Sequence, residues 1–390
     1  MRLVGTTAMG IRMPIISPGD DLVEITANHV LEVTKSAPLV SSDVVAVTEA
    51  IVAKAEGSFA SIQDIAQDVH NKYGDAEIGL VFPMLSRNRF FNILKGISMG
   101  ATKLHVLLSY PHDEVGNPIM DISRMDEILD ALPQGMVSVG QFRSTAGDFV
   151  HPFTGVDYLQ LYESAGDNIS IYLSNDPRDI LKLTHHVLVG EIHNRFITQA
   201  RLKKAGAKTV YTLSDILSQS VNGSGFNPEY GVLGSNLSTG EVLKLFPSRA
   251  GAAKFVANLQ NRLYEKTGTR PEVMVYGDGA FKDPVCGIWE LADPVVSPGH
   301  TQRLGNQPHE VKIKLVADTM AGGLSGEEKH QAVTQMIKNK ADNPDAFREG
   351  TTPRVYADLL GSLCDLIGGS GDKGTPVVLV RGYFDDYTTK

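Results

Sequence analysis

Cysteine is nearly missing from this chain, which has only Cys286 and Cys364 among its 390 residues. The two cysteines lie far apart and form no CxxC pair, which excludes a zinc ribbon and a disulfide scaffold. Such sparing use of cysteine fits a reducing compartment best, and we therefore expect a cytoplasmic protein.

Long apolar runs and basic runs are missing as well. No stretch reaches the roughly 18 apolar residues of a membrane span, and the first residues lack the apolar core of a signal peptide. The 36 Lys and Arg residues against 45 Asp and Glu give a net charge of −9, with no basic run long enough for a nucleic acid or an anionic membrane. We therefore expect small-molecule partners, no nucleic acid and no membrane.

The common signatures of nucleotide and hydrolytic sites do not occur either. The chain has no GxxxxGK[ST] loop, no clean GxGxxG after a strand, no GxSxG elbow and no HExxH helix. If a nucleotide binds to this chain, a different phosphate cradle must hold it.

The chain does have the composition of a globular enzyme. Hydrophobic residues make up 42% and charged residues 21% of it, which is ordinary for a folded protein. At roughly 150 residues per domain, the length predicts two or three domains.

Helical and strand patterns alternate along the sequence, which predicts a mixed α/β protein. Residues 142–167, rich in Gly, Asp and aromatic residues, are predicted to form a long loop. The stretch 325–353 is polar and predicts a solvated helix with a linker. The predicted helices are 22–33, 61–73, 179–189, 194–205 and 249–267, and the predicted strands are 44–47, 168–173, 208–213, 273–276, 311–318 and 377–384.

Two local features could hold phosphate. Lys54 follows a buried strand, where a lysine can act as a point charge on phosphate, although a surface lysine at a helix end is the simpler interpretation. The glycine-rich stretch 368–374 could wrap an anion with its backbone N–H groups. A flexible loop before the strand that follows is an equally good interpretation.

Six segments in this order resemble one family, the coenzyme F-420 γ-glutamyl ligases. The first two are quite specific and the others are supportive, and together the matches cover residues 1–60 and 225–390. The segments are MPIISPGDDL at 13–22, SDVVAVTEAIVAKAEG at 42–57, GVLGSN at 231–236, FPSRAGAAKFVANLQNRL at 246–263, VMVYGDGAF at 273–281 and GTPVVLVRG at 374–382.

The resemblance implies a mixed α/β (α+β) fold of the coenzyme F-420 glutamyl ligase type. Residues 1–60 and 228–390 would form a discontinuous ligase core, and residues 61–227, which show βα alternation of their own, would form an inserted α/β domain. A homodimer is implied too.

The resemblance also implies an activity. GTP, or ATP, would activate a substrate carboxylate as an acyl phosphate, and the amine of L-glutamate would then attack it, with Mg²⁺ or Mn²⁺ assisting. The acceptor would be a coenzyme F-420 precursor or another carboxylate, such as a folate.

The family's site residues carry over by position. Lys54 and Asp278 would be catalytic, and Asp278 would be a metal ligand; Asp113 and Asp283 match no family position and are candidates only as carboxylates that could replace altered ligands. The implied nucleotide-binding residues are Met13, Pro14, Ile15, Ile16, Thr48, Glu49, Lys54, Asn236, Gly369, Ser370 and Gly371. The hypothesis depends on Lys54 and Asp278 converging on one polyphosphate.

Three metal-site positions depart from the family pattern. Leu233 stands where the family has an aspartate ligand, Gly279 where it has a hydroxyl, and Gly369 or Ser370 where it has an acidic or amide ligand. Because leucine cannot coordinate a cation, a non-catalytic nucleotide- or ligand-binding protein remains the main alternative. An unrelated α/β enzyme that acts on a phosphorylated metabolite is the third.

Overall fold

The structure, a computed structural model, describes residues 3–277, 280–282, 289–291, 296–314, 316, 323–340, 355–368 and 371–389. The helices are α1 (Leu22–Val33), α2 (Glu49–Ala55), α3 (Ile62–Tyr73), α4 (Phe90–Met99), α5 (Met125–Ala131), α6 (Val139–Ala146), α7 (Tyr158–Glu163), α8 (Arg195–Lys204), α9 (Arg249–Thr267), α10 (Gly326–Lys338) and α11 (Tyr356–Ile367). Short 3₁₀ helices occur between them. None of the described helices is both long enough and apolar enough to cross a bilayer.

The strands are assigned in chain order. They are β1 (Thr7–Ile11), β2 (Val44–Thr48), β3 (Phe59–Ser61), β4 (Ile78–Val81), β5 (Leu104–Leu108), β6 (Val137–Ser138), β7 (Ile169–Leu173), β8 (His186–Val189), β9 (Thr209–Thr212), β10 (Ser235–Thr239), β11 (Val242–Leu245), β12 (Glu272–Tyr276), β13 (Ala280–Lys282), β14 (Trp289–Leu291), β15 (Gly299–His300) and β16 (Val377–Arg381). Strands β13 and β14 pair with each other, and the other strands form three larger sheets. The chain is therefore a mixed α/β protein, as its alternating pattern predicts.

A five-stranded sheet, in the order β1-β16-β2-β12-β15, is covered by helices on both faces. Because side chains alternate along a strand, Val45 and Val47 pack with α1 and α9. Val44 and Ala46 face the other way and pack with α11. All five residues of β2 are buried, as expected for a strand with helices on both sides.

Helix α1 begins at a capped residue and is tied to α9 by charge. The Asp21 side chain accepts a hydrogen bond from the N–H of Glu24. The Glu24 carboxylate itself accepts hydrogen bonds from Arg262, at 2.6 Å, and from Lys266, at 2.7 Å. These two cations lower the pKa of Glu24 to about 2.

A six-stranded sheet, in the order β6-β7-β5-β4-β8-β9, is built wholly from residues between 61 and 227. Its five longer strands run parallel, and β6 is antiparallel at one edge. Leu80 faces a core that includes residues of α3, α4 and α7, and Val81 faces the opposite side with Leu202 of α8. The boundaries expected for an inserted domain stay a prediction.

A three-stranded sheet, in the order β10-β11-β3, connects the two larger sheets. Strand β3 follows α2 directly, and β11 pairs with it antiparallel. Leu243 and Leu245 of β11 are buried in the same core cluster as Leu80 of the six-stranded sheet.

Several predicted elements are confirmed almost to the residue. The helices predicted at 22–33 and 249–267 are α1 and α9. Both carry an N-cap side chain, and α9 ends at Gly268 in the left-handed conformation, the usual terminator of a helix.

The helix predicted over 179–189 is wrong. The chain forms a 3₁₀ helix at Pro177–Lys182 and then strand β8. The run HVLV is apolar and short, and periodicity alone does not separate a buried strand from a helical segment. Pairing with β4 and β9 on either side selects the strand.

Two further predictions need correction. The stretch 142–167, expected to be a long loop, contains the end of α6 and all of α7. Its helix signals are a capping box between Ser138 and Gln141 and the N-cap Asp157. Of the strand predicted at 311–318, the described residues Ile313 and Lys314 are helical.

Candidate functional site

One end of the five-stranded sheet collects four chain segments. The register pairs Ile11 with Val377 and Val377 with Val47, so β1 and β2 end where β16 begins. Strand β12 runs parallel to β2 and pairs Tyr276 with Thr48. The segments that follow β1, β2 and β12, and the one that precedes β16, therefore all emerge at this end.

Hydrogen bonds hold these segments together. The N–H of Met13 donates to the Gly374 carbonyl oxygen at 3.0 Å, which joins the segment after β1 to the glycine-rich segment before β16. The Pro376 carbonyl oxygen accepts from the N–H of Thr48 at 3.0 Å and from the Tyr276 hydroxyl at 3.4 Å. Residues far apart in sequence are thus joined at this end of the sheet.

The four predicted nucleotide-lining residues after β1 differ in exposure. Pro14 is exposed, Ile15 is 89% exposed, and Met13 is half-buried. Ile16 is a core residue of the five-stranded sheet, 3% exposed. Any contact of Ile16 with a nucleotide would therefore have to come from its backbone.

Helix α2 presents three predicted site residues. Thr48 caps its first turn, with the hydroxyl accepting from the N–H of Ala50 at 3.4 Å. Glu49, in the first turn, is 5% exposed, a position where the helix dipole favours a carboxylate. Lys54 lies in the last turn and is half-buried.

The hairpin of β10 and β11 places Asn236 directly opposite Lys244, which in turn pairs with Phe59 of β3. Residues directly opposite in antiparallel strands project from the same face of a sheet. The neighbouring residues Leu243 and Leu245 point the other way, into the core. Since α2 contacts β11, the face with Asn236 and Lys244 adjoins the helix that carries Lys54.

Lys244 is half-buried in this neighbourhood. Burial is the main reason why the pKa of its ammonium falls below the ordinary value, and the positive charge of Lys54 lowers it further. The charge of Glu49 acts in the opposite direction. Across the described ranges, neither Lys54 nor Lys244 has a hydrogen-bond or ion-pair partner.

The structure thus brings Glu49, Lys54 and Asn236 into one cluster with Lys244, which the sequence analysis missed. A signal for Lys244 was present, because two short strand-like runs flank Gly240 in LSTGEVLKL. A tight hairpin there would have set Lys244 across from Asn236.

Asp113, a candidate metal ligand, lies in the loop after β5 of the six-stranded sheet. Its carboxylate accepts hydrogen bonds from the N–H groups of Leu85, Val115 and Asn117, and from the Asn117 side chain, at 2.8–3.1 Å. Burial raises the pKa of Asp113, while these bonds oppose the rise. The contacts in the structure order a loop, and the metal role of Asp113 stays a prediction.

Leu233, where the resembled family has an aspartate ligand, is 1% exposed and packs in the core with Ile216, Val232 and Leu245. Asp278, Asp283, Gly369 and Ser370 lie outside the described residues, and Gly371 is exposed. Over the described ranges, no group of three or more His, Cys, Asp and Glu side chains could hold a metal ion.

The convergence expected for Lys54 and Asp278 stays a prediction for the same reason. The nearest described residue to Asp278 along the chain is Gly277, which follows β12 beside the end of β2. The two strand ends that precede Lys54 and Asp278 are therefore neighbours.

Comparison with known proteins identifies the family of this chain. A search of curated proteins found no match. A protein-family model described as F420-0:Gamma-glutamyl ligase matches residues 10–382, a range that includes the segment 61–227. Because the match spans nearly the whole chain, this protein belongs to the F420-0:gamma-glutamyl ligase family.

Proposed function

We propose that the chain is a nucleotide-dependent acid–amino-acid ligase that joins L-glutamate to a carboxylate through an amide bond, with GTP or ATP as the energy source. The observation that carries the proposal is the cluster of Lys54, Asn236 and Glu49 beside the end of the five-stranded sheet. The segments around Met13 and Gly374 meet at the same end.

The proposed reaction has two steps. A carboxylate oxygen of the acceptor attacks the terminal phosphorus of the nucleotide, a new P–O bond forms, and the nucleoside diphosphate leaves. The amine of glutamate then attacks the acyl carbon, the C–N bond forms, phosphate leaves, and the amine gives up its proton. Both steps concentrate negative charge on phosphate oxygens, which positioned cations stabilise.

The residues of the cluster have separate proposed tasks. The ammonium of Lys54 neutralises phosphate charge as a compact donor. Asn236 contacts the nucleotide, and the segment 13–16, with the exposed Ile15 side chain, lines the base or the ribose. The backbone N–H groups near Gly371 are proposed to contact phosphate.

The acceptor is proposed to be a coenzyme F-420 precursor or another carboxylate such as a folate. The core of the six-stranded sheet extends to the strand that carries Lys244, so residues 61–227 adjoin the proposed site. Loops at strand ends are where specificity is usually built, and we assign acceptor selection to this segment. A homodimer is proposed as the working form.

The experiment combines purified protein with L-glutamate, GTP or ATP, Mg²⁺ or Mn²⁺, and either the F-420 precursor or a folate. The expected result is release of phosphate and a product heavier by one glutamyl residue, both abolished in Lys54→Ala. Lys35→Ala, which changes an exposed lysine paired with Glu32, is the matched control and should leave the rate unchanged.

A protein that binds nucleotide but turns over none of it with any acceptor would refute the ligase proposal. That outcome would favour the non-catalytic binding protein, for which the buried Leu233 at a metal-ligand position is the supporting observation. Lys54→Ala would then weaken nucleotide binding and change nothing else.

A further inference from the structure

The face of the three-stranded sheet turned toward α2 carries a second cation. Lys244 lies directly opposite Asn236 in the register, and Asn236 is one of the proposed nucleotide contacts. The alternation along β11 sends Leu243 and Leu245 into the core and leaves Lys244 on the α2 side. Strand register therefore determines the position of Lys244.

Lys54 and Lys244 repel each other, and the nearby Glu49 carboxylate offsets only part of this repulsion, since its effect on the pKa of Lys244 is smaller than that of Lys54. Two half-buried ammonium groups lie near each other, and neither has a hydrogen-bond or ion-pair partner in the part of the chain that the structure describes. A buried charge is costly unless it is paired. A polyanion bound between the lysines would pair both and remove the cost.

We propose that Lys244 is a phosphate-binding residue of the nucleotide site and acts together with Lys54 on the polyphosphate of GTP or ATP. The inference rests on the proposed function, because it assumes that the nucleotide occupies this end of the five-stranded sheet. It adds a residue to the site and specifies its chemistry, which is recognition of a polyphosphate by two ammonium groups.

This assignment also bears on the altered metal position. Leu233 lies just before β10, whose partner strand carries Lys244. An aspartate at position 233 would help to hold a metal cation against the phosphates, which a leucine cannot do. The ammonium of Lys244 would supply part of that missing positive charge.

The test is nucleotide binding, measured by calorimetry on the full chain with GTP, ATP, inorganic triphosphate and guanosine, with Mg²⁺ and again with a chelator. Lys244→Met should bind GTP and inorganic triphosphate about 10- to 100-fold more weakly, as expected for the loss of a charged hydrogen bond. Lys244→Arg keeps the charge and should recover most of the affinity. Guanosine, which has no phosphate, should bind equally to all variants.

Two controls keep the result interpretable. Lys95→Met removes a lysine that pairs with Glu241 of the same hairpin, at 3.1 Å, away from the cluster, and should bind GTP like the wild type. Thermal unfolding of each variant checks that it is folded. If Lys244→Met does not fold, Lys244→Gln takes its place, with the same expected loss.

The outcomes separate this inference from the proposed function. If the wild type binds GTP and forms product but Lys244→Met binds GTP within about two-fold of it, the role of Lys244 is refuted and the ligase proposal stands. If guanosine binding falls as much as GTP binding, Lys244 has a structural role and the inference fails. If the wild type binds neither GTP, ATP nor triphosphate, both proposals fail.

Discussion

Glu191, in the loop after β8, should make the stability of the protein depend on pH. The residue is 7% exposed, and its Oε2 has no hydrogen-bond partner among the residues that the structure describes. Burial raises the pKa of Glu191 to about 7; the Thr198 hydroxyl opposes the rise, and the nearby charge of Glu114 adds to it. Ionising this carboxyl group in the folded protein is therefore costly.

The sign of the effect follows from the two pKa values. The folded pKa of about 7 lies above the ordinary 4.5, so the folded state binds a proton more tightly than the unfolded chain does. The free-energy penalty for ionising Glu191 in the folded state is absent below pH 4.5, grows between pH 4.5 and 7, and is complete above pH 7. At about 1.4 kcal/mol per unit of pKa difference, the upper limit of this penalty is roughly 3 kcal/mol. Solvent screening reduces the expected penalty to about 2 kcal/mol.

The variant Glu191→Gln cannot ionise and should escape this penalty. Its unfolding midpoint should exceed that of the wild type by about 2–3 °C at pH 8, given the entropy of unfolding a chain of 390 residues, and should differ little at pH 5. Thermal unfolding followed by circular dichroism from pH 5 to 9 measures the difference. The matched control is Glu163→Gln, which changes an exposed glutamate at the end of α7. A Glu191→Gln effect that is equal at all pH values, or destabilising at pH 8, would refute the reasoning.

Three further outcomes can be measured by unfolding. Leu233→Asp should lower the free energy of unfolding by about 3–6 kcal/mol because a carboxylate would replace a core side chain. Leu233→Met should lower it by under about 1.5 kcal/mol. An Asp variant as stable as the wild type would place position 233 outside the core. Glu24→Gln should be less stable than the wild type at neutral pH. This difference in stability should shrink as the pH falls from 4.5 toward 2, since the two cations of α9 hold the pKa of Glu24 at about 2. A difference that is independent of pH would contradict the ion-pair assignment. Gly190→Ala would bring a Cβ within 2.7 Å of the Pro83 Cα and should lower the free energy of unfolding by about 1–3 kcal/mol. The control Gly140→Ala, with no heavy atom within 4 Å of its Cβ, should be neutral or stabilising.

Helix ends and buried strands around the five-stranded sheet were predictable from local signals. Asp21 caps α1, and Ser248 and Gly268 bound α9. These signals act within a few residues of the chain, so they are visible in the sequence. Lys54 was identified through the family motif in which it lies, because its position in a helix after a buried strand favours, by itself, an ordinary surface lysine.

Strand β8 shows where local signals fail. Its four residues have the apolar composition of either a buried strand or a helical segment, and their pairing partners β4 and β9 lie roughly 20 or more residues away along the chain. Whether these four residues form a strand or a helix therefore depends on pairing with distant parts of the chain, which no short window of sequence contains.

The sequence by itself determined the family, through motifs that are continuous in the chain, and it determined most helices through caps and periodicity. Only the tertiary structure brought Lys244 to the helix that carries Lys54 and buried Leu233 in a core. The first depends on strand register and on packing between α2 and β11, which lie nearly two hundred positions apart, and the second on the packing of a core drawn from many elements. Such contacts are set by the burial of whole faces, so no single residue or motif encodes them.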